Sequence, residues 1–187
     1  GEDAALWSEY TPVIYRLEIS LCGSDEKTVT TFGLRKFSTI ETKFLINGEP
    51  AFLRGKHDGL VFPLTGAVPA DVDEWVRVMK ISKSYGINHY RYHTCCPPEA
   101  AFIAADLLGI YMEPQLPFWG TLTAPGDENH NETEQNYLIE EGFRMLNTFG
   151  NHASYCMMSL GNELWGSKER MAEIITGYRN VDNRHLY

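Results

Sequence analysis

Two hydrophobic patterns divide the chain near residue 37. Residues 13–21 and 27–35 alternate apolar with polar side chains and are rich in β-branched and aromatic types, and residues 22–25 between them are typical of a turn. This alternation predicts antiparallel strands with one buried face. Because two or three strands do not make a stable domain, we interpret residues 1–37 as the last strands of a β-sandwich.

After the hairpin signal Asn47-Gly48, short apolar strands alternate with longer helical segments. The predicted strands are 51–55, 87–93, 110–115 and 155–160. This steady alternation predicts right-handed β-α-β units and a parallel sheet. Such a sheet either closes into a (β/α)8 barrel or stays open as a doubly wound fold. No Gly-x-Gly-x-x-Gly turn follows the first strand, which weakens the nucleotide-binding version.

The predicted helices have recognisable ends. Acidic residues within 71–74 begin the first helix, which closes at Gly86. Residues 97–99 open the second helix, and Gly109 supplies its left-handed stop. A third helix is predicted over about 134–149 and a fourth over about 167–178.

Charge narrows the range of partners. The 187 residues carry a formal charge of -9 at pH 7, from carboxylates spread along the whole chain. Such a protein is not expected to bind nucleic acid or an anionic membrane surface, whereas a neutral polymer is easier to accommodate. No stretch approaches the roughly 18 to 20 apolar residues of a membrane span.

The cysteines and the N-terminus do not determine the redox compartment of the protein. Cys22, Cys95, Cys96 and Cys156 form neither a dense disulfide framework nor a paired zinc-binding set. The N-terminus lacks the basic and apolar regions of a secretory signal. Because the first residue is not methionine and the chain begins within a structural pattern, we treat both ends as candidate points where a longer protein was truncated. The missing signal sequence therefore gives little information about export.

Polar side chains gather where the predicted strands end. They are His57 and Asp58, Arg91 and His93, Glu113 and Gln115, and Asn162 and Glu163. The C-terminal ends of parallel strands open at one face of a barrel, which is where its active site lies. The pattern therefore favours a barrel with a polar mouth.

The most informative stretch is 155–165, where a run of apolar or small residues leads directly to Asn162 and Glu163. A carboxyl held between apolar walls has a raised pKa and can donate a proton near neutral pH. This is the role of the acid in glycosidic cleavage. The alternative is that these two residues only cap the following helix, and periodicity alone does not separate the two readings.

Two tryptophans and a histidine-cysteine segment complete the candidates. Trp119 and Trp165 are suited to stack on a sugar ring, although tryptophans that only pack are commoner. A zinc site within residues 89–96 is disfavoured, because Cys95 and Cys96 on a strand would point to opposite faces. No metal or cofactor is therefore predicted.

Five segments in this order resemble glycoside hydrolase family 2, the group of β-galactosidases, β-glucuronidases and β-mannosidases. They are Trp-Ser followed by Pro-x-x-Tyr-x-Leu at 7–17, Phe-Gly-Leu-Arg at 32–35, the Asn-Gly hairpin and first barrel strand at 44–55, Gly-x-Asn-x-x-Arg at 86–91 and Ser-x-Gly-Asn-Glu at 159–163. Each segment is a weak signal alone. Together they extend the resemblance over nearly the whole chain.

The resemblance implies a role for each site residue. Glu163 protonates the leaving oxygen and later activates water, while Asn162 hydrogen-bonds the sugar 2-hydroxyl. Arg91 orients the nucleophile or supports the pocket floor, with a purely structural ion pair as the alternative.

The other polar residues at the mouth are candidate sugar ligands. His57 and Asp58 follow the first barrel strand, where the family carries a polar loop. His93 departs from the family spacing, because it lies two residues after the arginine rather than three. It is retained as a candidate ligand.

The resemblance also implies the domain organisation. Residues 1–37 would be the C-terminal strands of an immunoglobulin-like β-sandwich, and 38–187 the first half, about four β/α units, of a TIM-barrel catalytic domain. A full barrel takes about 250 residues. The family's nucleophile lies on the seventh strand, so we expect it outside this chain and expect the isolated chain to be inactive.

The implied activity is that of a retaining exo-β-glycosidase of the β-galactosidase type. The alternative is a non-catalytic carbohydrate-binding or scaffold protein, which the carboxyl on a seventh strand would distinguish. An unrelated α/β hydrolase is disfavoured because no Gly-x-Ser-x-Gly elbow is present. Carbohydrate is the expected partner, and open barrel edges predict either self-association or a longer polypeptide. The resemblance favours a periplasmic or secreted location; the sugar and the linkage are not readable.

Overall fold

The computed structural model describes residues 3–187, which form ten strands in four sheets and four helices. The strands are β1 (Tyr15–Ser20), β2 (Lys27–Phe32), β3 (Phe37–Ile40), β4 (Lys43–Ile46), β5 (Glu49–Ala51), β6 (Gly55–Asp58), β7 (His89–Tyr92), β8 (Tyr111–Glu113), β9 (Trp119–Leu122) and β10 (Asn162–Gly166). The helices are α1 (Val72–Ser84), α2 (Glu99–Leu108), α3 (Glu132–Phe149) and α4 (Lys168–Val181). None of the helices in residues 3–187 is long and apolar enough to cross a membrane.

β1 and β2 form an antiparallel ribbon in which Tyr15 pairs with Phe32. The two rings are stacked, with centroids 5.6 Å apart. The predicted pairing is confirmed; within residues 3–187 neither face of the ribbon is buried, and Ile19 is 51% accessible. No second sheet lies across the ribbon within residues 3–187, so its apolar side chains have nothing to pack against.

A hairpin with Asn47-Gly48 at its tip joins β4 to β5, and β3 completes a three-stranded antiparallel sheet. Both turn residues have positive φ, 54° and 89°, which confirms the predicted tight turn. The sheet contributes Ile46 to a small core with Trp7 and Tyr111. Because Tyr111 is the first residue of β8, this core closes the N-terminal end of the parallel strands.

β6, β7 and β8 are neighbours in one parallel sheet and are connected by α1 and α2. The predicted β-α-β units are therefore confirmed. β6 begins at Gly55 rather than at residue 51, because residues 49–51 pair with β4 instead.

Residues 155–160 run beside β8 but do not form the continuous strand that was predicted. Two isolated parallel bridges join this segment to β8 and the residues that follow it. Pro114 lies between them, and its missing N–H interrupts the ladder, although its carbonyl accepts the Ser159 N–H at 3.2 Å. A third parallel bridge joins Met157 to Leu186, so another extended segment begins after α4.

The helix ends follow their sequence signals. Asp71 caps α1 by accepting a backbone N–H of the first turn at 2.8 Å, and Asn131 and Ser167 cap α3 and α4 in the same way. α2 ends at Gly109, whose φ is 70°. A Cβ at this position would lie 2.7 Å from the Cα of Glu9, so both the turn and the close approach require glycine.

The main core lies between the parallel sheet and the helices. Tyr90 and Tyr92 of β7 are fully buried, and the Tyr90 hydroxyl lies 2.6 Å from the hydroxyl of Ser82 on α1. Successive strand residues face opposite sides of a sheet. His89 and Arg91 therefore face the inner side, away from the helices.

Candidate active site

Three side chains form a polar layer at the C-terminal ends of β6, β7 and β8. The strand register pairs His57 with Arg91, and Arg91 with Glu113. Paired residues on neighbouring strands point to the same face. His57, Arg91 and Glu113 therefore lie side by side on the inner face, at the level where the mouth of a barrel begins.

Asn162 and Glu163 lie at the start of β10, which pairs in parallel with β9. Asn162 is opposite Trp119, and the register shifts immediately afterwards. Gly161, with φ of 141°, passes so close to the Phe118 carbonyl that no Cβ would fit. The Asn162 N–H donates to that same carbonyl at 3.0 Å. The local backbone thus fixes the point at which the amide and the carboxyl enter the site.

Glu163 has a left-handed backbone, with φ of 46°, and an exposed side chain. The Trp119 Nε1–H donates a hydrogen bond to its Oε2 at 3.0 Å. The predicted enclosure between apolar walls is wrong for the described residues. Most of the 155–160 run is buried, but the left-handed turn carries the carboxyl out of that run and beside an indole N–H.

Arg91 connects Asn162 to the polar layer. Its Nη2 donates to the Asn162 Oδ1 at 2.9 Å, and its Nε lies 3.8 Å from the Glu113 Oε1. Because a guanidinium is only a donor, this contact fixes which end of the amide faces Arg91. The Asn162 NH2 group is left pointing away from the guanidinium, free to donate to a ligand.

A row of rings leads from the first barrel strand to Glu163. The His57 and His93 ring centroids are 4.9 Å apart, and the His93 and Trp119 centroids are 5.0 Å apart in an edge-to-face arrangement. Trp119 is 58% exposed and donates the hydrogen bond to Glu163 described above. His93 is thus close to the other candidates despite its departure from the family spacing.

Asp58 and Trp165 are not brought into this group. Asp58 follows His57 but is buried elsewhere, where its carboxylate accepts from the Lys56 Nζ and from the Leu60 N–H, both at 2.8 Å. The alternation of strand side chains sends it to the face opposite His57. Trp165 is 70% exposed and makes no ring contact in the described residues.

Cys95 and Cys96, which follow β7, are partly buried free cysteines. Burial raises the pKa of Cys95 to about 11 and that of Cys96 to about 12. Within residues 3–187, no three His, Cys, Asp or Glu side chains are grouped so as to hold a metal ion.

One contact at the site was missed by the sequence reasoning. The His89 Nε2 lies 3.2 Å from the Glu113 Oε2 on the inner face of the sheet. In the sequence, His89 belongs to the disfavoured zinc alternative, and Glu113 is a strand-end carboxyl that the family pattern disfavours as a substitute nucleophile. The available signal was the two-residue period, which puts His89 on the same face as Arg91.

Parallel β/α units with polar residues at the strand C-termini place the chain among TIM-barrel-type proteins. A family model for the TIM barrel domain of glycosyl hydrolases family 2 matches residues 38–186. The chain belongs to glycoside hydrolase family 2.

Proteins similar to this chain include several kinds of glycosidase. A β-galactosidase of Lactococcus lactis is 26% identical over 164 residues, which cover 84% of this chain and 16% of that protein. A putative β-glucuronidase of Formosa agariphila is 29% identical over 166 residues, which cover 86% and 19%. The chain therefore spans less than one fifth of the length of these two relatives.

The fold is also that of solved members of the family. A β-galacturonidase from Eisenbergiella tayi matches with a TM-score of 0.80 at 19% identity, covering 97% of this chain and 32% of that one. The β-glucuronidase 3 of Bacteroides uniformis matches with a TM-score of 0.76 at 22% identity, covering 97% and 24%. These likenesses establish the fold alone.

Proposed function

We propose that this chain is part of a retaining exo-β-glycosidase that removes terminal β-linked sugars, with Glu163 as its general acid and base. The observation that carries this assignment is the Glu163 carboxyl at the sheet mouth, beside Asn162 and with one oxygen held by Trp119. In such a reaction the acid first protonates the leaving oxygen and later takes a proton from water. Because Trp119 holds Oε2, the other oxygen is left to exchange the proton.

The neighbouring residues are suited to holding the sugar. The Asn162 NH2 group, oriented by Arg91, donates to the sugar 2-hydroxyl in the transition state. Trp119 offers an exposed aromatic face for the apolar side of a pyranose, and His57 and His93 offer ring nitrogens to its hydroxyls. Trp165 lies apart from these rings and offers a second exposed face two residues after Glu163. Asp58 is left out of this set, because it already accepts from Lys56 and Leu60.

The second carboxyl of the reaction is assigned outside this chain. A retaining glycosidase needs a nucleophile about 5 to 5.5 Å from its acid, and the family resemblance puts that nucleophile on the seventh strand. Residues 38–187 contain four β/α units and the start of another extended segment at Leu186. We therefore infer that they form the first half of the barrel.

We infer that residues 1–37 are the last strands of an immunoglobulin-like domain. The antiparallel β1–β2 ribbon supports this, since its exposed apolar residues are suited to pack under further strands. The extended segment at Leu186 likewise favours further strands of the same polypeptide, rather than a second copy, as the cover of the open sheet edge.

The test is chemical rescue in the full-length enzyme. Glu163→Ala should lower kcat/KM on glycosides with poor leaving groups by about 10²- to 10⁴-fold. Azide should restore turnover of substrates with good leaving groups and yield a β-glycosyl azide, because a small anion enters where the activated water would.

The matched control is Glu169→Ala, which removes a carboxylate from the first turn of α4. It should behave as the wild type, with or without azide. Recovery of Glu163→Ala activity without a β-glycosyl azide would remove Glu163 from the role.

A further inference from the structure

The inner polar layer contains a carboxylate with unused hydrogen-bonding capacity. The Glu113 side chain is 20% exposed and faces the inner side of the sheet. Its oxygens lie 3.2 Å from the His89 Nε2 and 3.8 Å from the Arg91 Nε. Neither contact has hydrogen-bond geometry, and no other group in residues 3–187 donates to this carboxylate. An ionised carboxylate has about four acceptor positions, so Glu113 can accept from a ligand.

The group beneath Glu113 is also unpartnered. His89 is 7% exposed, and its Nε2 has no hydrogen-bond partner within the described residues. Room for the imidazole comes from Gly55 on the neighbouring strand, where a Cβ would lie 2.9 Å from the His89 Nδ1. Buried polar groups are normally hydrogen-bonded, so an orphaned ring nitrogen beside an open carboxylate indicates a missing polar ligand.

Arg91 sets the position of this pair relative to the chemistry. Its Nη2 donates to the Asn162 Oδ1, and its Nε, on the same edge of the guanidinium, lies 3.8 Å from the Glu113 Oε1. Glu113 and Asn162 therefore both lie next to this guanidinium. A sugar whose 2-hydroxyl meets Asn162 would present another of its ring substituents to Glu113.

On the basis of the glycosidase function above, we propose that Glu113 is a specificity residue that accepts a hydrogen bond from one hydroxyl of the terminal sugar. The His89 Nε2 serves the same hydroxyl or its neighbour, and the Arg91 guanidinium, 3.8 Å away, helps to hold the carboxylate in place. Glu113 thus recognises the glycone and takes no part in proton transfer.

The experiment compares hydroxylated and deoxygenated substrates in the full-length enzyme. Glu113→Gln and Glu113→Ala are assayed on the preferred aryl β-glycoside and on its 3-, 4- and 6-deoxy analogues. For the parent sugar we expect kcat/KM to fall about 10- to 100-fold, since a hydrogen bond to a charged group is lost. For one of the deoxy sugars, kcat/KM of the wild type should already be low. The Glu113 variants should lower kcat/KM for that sugar by less than about a further threefold.

Glu141→Gln is the matched control. Glu141 is also an arginine-paired carboxylate, 28% exposed, but lies on α3. Glu141→Gln should leave kcat/KM unchanged for every substrate.

If Glu113→Ala does not fold, the comparison is made with the isosteric Glu113→Gln. Equal losses on all four sugars would assign Glu113 a structural role and overturn the inference. A wild-type enzyme inactive on every aryl β-glycoside would instead overturn the proposed function itself.

Discussion

Glu163 combines an exposed carboxyl with a backbone conformation that non-glycine residues rarely adopt. A left-handed residue of this kind costs on the order of 1 to 3 kcal/mol and persists only where its surroundings hold it. Here the restraints are the close passage of Gly161 against Phe118 and the hydrogen bond from Trp119. Five other non-glycine residues within residues 3–187 also have positive φ, so this conformation sets the direction of the Glu163 carboxyl but does not identify its chemical role.

Trp119 is expected to act through Glu163 as well as on the sugar. Trp119→Phe keeps an aromatic face but removes the indole N–H that donates to the Glu163 Oε2. A hydrogen bond to a charged group contributes about 1.5 to 3 kcal/mol. We therefore expect kcat/KM to fall about 10- to 100-fold on glycosides with poor leaving groups. The loss should be much smaller for dinitrophenyl glycosides, whose leaving group departs without protonation.

Trp165→Phe provides the comparison, because Trp165 is exposed and makes no ring contact in the described residues. This variant should keep the leaving-group dependence of the wild type, whatever it does to KM. If Trp119→Phe loses the same factor with every leaving group, Trp119 only binds sugar and does not position the acid.

At the level of single residues, the sequence predicted which polar residues lie near strand ends better than it predicted the directions in which their side chains point. Asn162 and Glu163 were predicted at a strand end from local pattern and resemblance, and they lie at the sheet mouth. Asp58 was predicted beside His57, but alternation turns it toward Lys56. The face to which a residue points depends on strand register, and register is set by residues distant in the chain.

Among the elements, helix ends were predictable and strand limits were not. The start of α1 at Asp71 and the end of α2 at Gly109 depend on contacts within a few residues, which the sequence displays. Strand limits depend on partners. Residues 49–51 pair with β4, so the barrel strand starts only at Gly55, and Pro114 breaks the ladder of the segment beside it.

The cap of α1 should contribute measurably to stability. Asp71 accepts the Glu74 N–H at 2.8 Å, so Asp71→Ala leaves a helix donor without its partner. We expect the free energy of unfolding to fall by about 1 kcal/mol. Urea titration followed by circular dichroism measures the change.

Asp73→Ala is the control for this effect, because Asp73 lies in the same first turn but does not cap the helix. It should lose only the favourable interaction with the helix dipole, about 0.3 to 1 kcal/mol. A loss for Asp73→Ala as large as that for Asp71→Ala would mean that charge near the helix end, rather than the cap, carries the stabilisation.

On the scale of the whole molecule, the N-terminal segment makes hydrogen bonds to the β/α units across the predicted boundary at residue 37. The Trp7 Nε1–H donates to the Asp106 carbonyl at 2.8 Å, and the Arg35 Nε–H donates to the Ala153 carbonyl at 2.9 Å. These contacts lie at the N-terminal ends of the parallel strands, opposite the site. The segment therefore covers the N-terminal ends of the parallel strands, whether or not it belongs to a separate domain.

Glu9 is a buried charged residue of this N-terminal segment. Its Oε1 lies 3.2 Å from the Arg54 Nη2, and its other oxygen accepts from the Asn88 amide. Burial raises the pKa of Glu9, but hydrogen bonds from Tyr10 and Asn88 outweigh it and hold the pKa below its usual value. The Arg54 guanidinium lowers the pKa further. The folded state therefore favours the ionised carboxylate.

This depressed pKa predicts a pH-dependent contribution to stability. A carboxyl with a lower pKa in the folded state contributes fully above its unfolded value of about 4.3, and the contribution is lost as the pH falls through the folded value. Glu9→Gln should lower the free energy of unfolding by about 1 to 3 kcal/mol at pH 7, since an amide NH2 replaces one of the two oxygens that face Arg54 and the buried Asn88. The difference from wild type should shrink steadily below about pH 4.3.

Urea unfolding of the two proteins between pH 3 and 7 measures this difference. Glu18→Gln is the control, because Glu18 forms its ion pairs with Arg16 and Lys27 on the exposed ribbon, and such pairs contribute at most about 1 kcal/mol. A Glu9→Gln deficit that stays constant from pH 7 to pH 3 would mean that Glu9 acts through packing alone. A shrinking deficit would identify its ionised carboxylate as what fastens the N-terminal segment to the barrel.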